Sequence, residues 1–195
     1  MTHTVARPET QLPVATSGAR FTLSVLDSNF VEVILGSLAE ADSTRVTVAS
    51  GDISTHVTGD IADVIQYIAD VLTAAGRRGL HVSATIMLAY VRPPGQPDRG
   101  LPPLAPVGLR ARAHWTAPSN AHGATPAIQL ARDLGTWSGE EPFVTRLDGD
   151  LATVLTTVAG GVLLTSEPSE TATTHVTISL NSPSPILDDR PEVPR

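Results

Sequence analysis

The chain has 195 residues, a formal charge of −7 and 41% hydrophobic residues, enough for one ordinary domain or two small ones sharing a core. It contains no cysteine, and all 13 basic residues are arginine. That excludes a disulfide framework, a thiol nucleophile, a Cys-type zinc site, a lysine Schiff base and a Walker-type phosphate loop. The acidic balance argues against a nucleic-acid partner, whose phosphates call for a positive groove or face.

In chain order, residues 1–19 lack the apolar stretch of a signal peptide and read as a flexible tail. No run approaches the roughly 18 apolar residues needed to cross a bilayer, so no membrane insertion and a cytoplasmic location are expected. Phe21, Leu23 and Val25 alternate as in a half-buried strand. Phe30, Val33, Ile34, Leu38 and Ala41 then fall on one helical face behind an N-cap at Asp27 or Ser28. The segments 45–49 and 53–57 predict a hairpin around Ser50, Gly51 and Asp52. Ile61, Val64, Ile65, Ile68, Val71, Leu72 and Ala75 predict a second helix, with Asp60 as the anion at its start and Gly76 at its end. A strand over 81–88 closes the unit. Residues 92–108, with six prolines, form a semi-rigid spacer.

The unit then recurs. The segment THVTGDIADVI (55–65) returns as TRLDGDLATVL (145–155), which matches Gly59 with Gly149 at an offset of 90 residues. The same offset lays Phe21, Leu23 and Val25 over Ala111, Ala113 and Trp115. HVSATIML (81–88) matches HVTISL (175–180) at an offset of 94, which pairs His81 with His175 and puts four extra residues near SEPSETAT. Leu151, Val154, Leu155, Val158 and Val162 repeat the helical face, with Gly160 and Gly161 making that helix the less rigid one. The order β-α-β-β-α-β is the ferredoxin-like motif.

The predicted fold is therefore α+β: a tandem of two ferredoxin-like (ACT-like) units, residues 20–91 and 109–182, with antiparallel sheets covered by helices on one face. The segment 92–108 links them and 183–195 is a tail. The uncovered face of each sheet needs a partner, either the second copy or a second chain.

Most polar residues have ordinary structural readings. Asp148-Gly149-Asp150 lacks the remaining oxygens of a calcium loop and fits a strand-to-helix turn with Asp150 at the helix start. His81 and His175 lack a second ligand at i+2 or i+4, and His56, His114 and His122 complete no Ser-His-Asp set. No metal site and no cofactor are expected. Trp115 is read as core, with lining of a pocket as the alternative.

The segments at 20–42, 52–65, 80–88, 143–155 and 174–185 together resemble the YkoF-like thiamin and hydroxymethylpyrimidine (HMP)-binding proteins. The resemblance implies a homodimer of tandem domains, no catalysis, and one pocket per domain between sheet and helices for an aminopyrimidine. Asp52, Ser54 and Thr55 would read that ring in the first half, and Val144 and Thr145 stand at the matched places in the second. This sequence has Asp52 where the family pattern has a histidine, and Val144 where a hydroxyl is expected. Two alternatives stay open: an isomerase or cyclase reusing the pocket with Asp52 as acid–base group, and an ACT-like regulatory module.

Overall fold

Two aspartates start the two central helices. Asp60 accepts a hydrogen bond from Ala62 N (3.1 Å), and Asp150 accepts one from Ala152 N (2.9 Å). Each carboxylate satisfies an amide that the helix itself leaves unpaired. Asp150 also accepts from Val107 N and Gly108 N, so the same side chain anchors the strand that enters the second half.

The computed structural model describes residues 17–94, 104–119 and 123–184. Most of the N-terminal tail, much of the 92–108 spacer, His122 and nearly all of the C-terminal tail lie outside these residues. The first half comprises β1 (Ser17–Val25), α1 (Phe30–Glu40), β2 (Thr47–Ser50), β3 (Thr55–Gly59), α2 (Ile61–Gly76) and β4 (Val82–Val91). The second comprises β5 (Arg110–Thr116), α3 (Thr125–Asp133), β6 (Trp137–Glu141), β7 (Val144–Asp150), α4 (Leu151–Thr165) and β8 (Thr171–Leu180).

The architecture is mixed α+β, with four helices and one eight-stranded antiparallel sheet ordered β2-β3-β1-β4-β8-β5-β7-β6. The halves join edge to edge through β4 and β8, whose ten paired residues run from Val82↔Leu180 to Val91↔Thr171. The second half thus extends the sheet and leaves its open face uncovered, contrary to the expectation that the second copy might cover that face. The open face is mostly polar, carrying Arg20, Ser24, Thr85, Thr173, His175 and Thr177 beside the exposed Met87, so it can meet water without an apolar partner.

The other face buries Ala19, Phe21, Val57, Ile86, Leu88, Trp115, Leu147, Val176 and Ile178 beneath the helices. All seven predicted apolar residues of α2 and all five of α4 are buried. The α1 face is thinner: Val33 is buried, but Phe30 is half exposed, and the cap position is Asn29 rather than Asp27 or Ser28. Asp27 instead accepts from the Asn29 amide. The first hairpin turns at 51–54, where the sequence predicts 50–52, with Ser50↔Thr55 its last ladder pair.

Strand pairing corrects the alignment of the halves. Phe21 faces Thr55 and Trp115 faces Thr145, so Trp115 corresponds to Phe21 and not to Val25. The last strands correspond at an offset of 90: Ile86 pairs with Phe21, and Val176 with Trp115. The length difference therefore falls between the first and third strands, where the second half is four residues shorter, and not near SEPSETAT. His81 and His175 are not matched: His81 precedes β4 and bonds Ser179 Oγ at 3.0 Å, whereas His175 sits within β8 opposite Met87.

Trp115 is fully buried, and its indole N–H donates to Thr174 Oγ1 at 2.8 Å. Gly161 is what admits it: a Cβ there would lie 2.6 Å from Trp115 Cζ2 and 3.3 Å from the Cβ of Ala127. The glycine in α4 thus has a packing reason. Gly161→Ala gains helix propensity yet is expected to destabilise the fold by about 1–3 kcal/mol through overpacking. Denaturant unfolding of that variant checks this, and an unchanged or raised midpoint contradicts it.

Candidate functional site

Alternation along a strand sends Arg20 to the face opposite Ala19 and Phe21, and His56 to the face opposite Thr55 and Val57. Arg20 and His56 are direct partners in the β1–β3 ladder. They meet on the helix-free face beside the first hairpin, at a cavity of about 390 Å³ that Gly51, Asp52, Ile53 and Ser54 also line. Arg20 Nη1 reaches Ser54 Oγ at 3.4 Å. Ile53 is 80% exposed at the rim.

Asp52 and Ser54 therefore share one cavity, but Thr55 turns the other way. Its side chain is buried on the helix side, where its Oγ1 lies 3.2 Å from Ser50 Oγ. Thr145 is likewise buried opposite Trp115, and Val144 is half-buried at the end of the β6–β7 ladder. The cavity holding Asp52 and Ser54 lies on the open face rather than between sheet and helices.

The corrected register exposes a second cavity at the corresponding place, about 280 Å³, lined by Arg112, His114, Glu141 and Arg146 among others. His114 and Arg146 are direct ladder partners, as Arg20 and His56 are. The two halves carry the same arginine–histidine pair with its members exchanged between strands. Glu141 bridges the second pair, 3.5 Å from His114 Nε2 and 3.3 Å from Arg146 Nη1. At the corresponding hairpin position the first half has Gly51.

Two cations placed opposite each other on a sheet repel. The first pair meets this by keeping the histidine neutral: burial chiefly, and then the Arg20 charge, hold the His56 pKa below its ordinary value. Sequence reading missed these pairs, because each joins residues distant in the chain and an isolated charge on a strand reads as a solvated face. The detectable signal was the exchange itself, visible only in the correct register. Among the described residues no group of three or more His, Asp or Glu side chains is placed to hold a metal ion.

Residues 16–96 match the model of the YKOF-related family. The match covers most of the first half of the chain and agrees with the sequence resemblance. No curated protein matches the chain. The match contains Arg20, His56 and the whole first hairpin, so the open-face cavity of about 390 Å³ lies within the matched residues.

A histidine with a depressed folded-state pKa binds its proton later in the folded than in the unfolded chain. Stability contributed by neutral His56 is therefore present above the unfolded value, near 6.5, and is lost as pH falls from there to the lower folded value. His56→Gln should flatten the fall in unfolding free energy between about pH 7 and 5. Parallel pH profiles of the two proteins would count against this assignment.

Proposed function

We propose that the chain is a tandem of two ferredoxin-like (ACT-like) domains that binds a small heteroaromatic molecule without transforming it, with thiamin or its HMP moiety as the ligand class. The observation that carries this reading is the convergence of Asp52, Ser54, Ile53, Arg20 and His56 on one cavity within the residues that match the YKOF-related family. Its volume of about 390 Å³ falls in the roughly 300–1,000 Å³ range of small-molecule pockets.

The strand order β2-β3-β1-β4, with α1 and α2 on one face, supports a ferredoxin-like unit, and β6-β7-β5-β8 follows the same order. An aminopyrimidine offers an exocyclic amine and ring nitrogens. Asp52 can accept from the amine, Ser54 and Arg20 can donate to ring nitrogens, and Ile53 can cover the flat face. Thr55 and Thr145 serve as buried supports of the hairpins, and Val144 leaves the second hairpin without the hydroxyl that Ser54 supplies. A thiazolium cation is best placed at the solvent side, away from Arg20. A homodimer acting in the cytoplasm completes the proposal, and no helix among the described residues is long and apolar enough to cross a membrane.

Calorimetry with HMP and thiamin tests the reading. One saturable site per chain is expected, with Ser54→Ala weakening it by about 1–2 kcal/mol, or roughly 5- to 30-fold. Absence of heat and of any thermal shift with both compounds would remove the ligand assignment.

A further inference from the structure

The two open-face cavities are built on the same pair and differ in what neutralises it. In the second half the Glu141 carboxylate lies against both His114 and Arg146. Residues beyond β8 also reach this cavity: Arg112 donates to the carbonyls of Ser182 (3.3 Å) and Ser184 (3.1 Å), and Ser182 lines the cavity. In the first half the position of Glu141 is Gly51 and the position of Arg112 is Gly18. Among the described residues, Asp52 lines the first cavity from the hairpin loop without an ion pair to Arg20, whose guanidinium instead makes a long bond to Ser54.

We infer that the first-half cavity carries an oxyanion subsite, in which a carboxylate or phosphate group of the ligand takes between Arg20 and His56 the place that Glu141 takes between Arg146 and His114. The second half contains its own occupant and so shows where the anion sits and which atoms it meets. An arginine fork suits a planar carboxylate or two phosphate oxygens, and the neighbouring imidazole supplies a further N–H. With Asp52 available to an amine at the hairpin, the site would favour, within that ligand class, members that carry an anionic arm, such as a phosphate ester of the hydroxyl group. This deepens the binding reading and rests on the first-half cavity being the ligand site.

The test follows the imidazole NMR signals of the full chain, assigned by single His→Gln variants, during titration with inorganic phosphate and separately with acetate, at constant ionic strength set by chloride. Saturable shifts of the His56 signals are expected, with His114 unmoved, and a rise of the His56 pKa on phosphate binding. Acetate and phosphate titrations together show which oxyanion is preferred. Arg20→Gln should weaken binding at least tenfold. Gly51→Glu, at a position where a Cβ meets only an ordinary 3.5 Å contact, should abolish it by supplying an internal carboxylate. Glu141→Gln should make His114 responsive.

The inference fails if His56 ignores both anions, if Arg20→Gln and Gly51→Glu leave the response intact, or if wild-type His114 responds as strongly as His56. The phosphate response is independent of calorimetry with HMP and thiamin. Loss of one result with retention of the other therefore separates the anion subsite from the aminopyrimidine reading.

Discussion

The ladder between β4 and β8 is the constraint on which the rest of the molecule depends. Ten consecutive residue pairs join the halves there, and the pair Ile86↔Val176 unites two corresponding positions. Exchanging the halves maps this ladder onto itself, as an approximate two-fold axis beside that pair requires. Because side-chain direction alternates with every residue, this single register decides that Ile86, Leu88, Val176 and Ile178 go beneath the helices and that Thr85, His175 and Thr177 stay in the open. It also brings α2 against α4 into one helical layer. Asn181 reinforces the join by donating from its amide to the carbonyls of Gly76 and Leu80 in the other half.

Placing both halves in one sheet sets both arginine–histidine pairs on the same polar face, one toward each side of the central ladder. The cavities then diverge by small changes in side chains. Glu141 against Gly51 gives the second pair an internal carboxylate where the first half has a glycine, and Arg112 against Gly18 adds a second arginine to that cavity. The two halves thus share strand order and register, while their hairpins differ in the charge they present to the open face.

The helices were legible because long apolar stripes at helical spacing have few competing readings: α2 and α4 bury the residues their periodicity names. The strand register was not legible, for a definite reason. Shifting Phe21-Leu23-Val25 by four residues against the second half keeps apolar side chains pointing inward, so both alignments satisfy the same alternation. Only pairing across the sheet, Phe21 with Thr55 and Trp115 with Thr145, distinguishes them. The same even shift produced the apparent match of His81 with His175. Asp52 and Ser54 are singled out by the family resemblance of their segment, whereas Arg20 comes from another strand and its place at the same cavity depends on the register. Gly161 read as a weakness of α4 because its partner, the Trp115 ring, comes from β5.

The absence of cysteine provides a direct probe of the central ladder. The Oγ1 atoms of Thr85 and Thr177 lie 3.5 Å apart across β4 and β8, on the open face. A Thr85→Cys, Thr177→Cys double variant should close a disulfide within one chain under mild oxidation, seen as faster migration on a non-reducing gel at monomer size. A Thr85→Cys, Thr173→Cys pair, four residues out of register, should stay reduced. Cross-linking only between chains, or equal closure of both pairs, would contradict the single-sheet account.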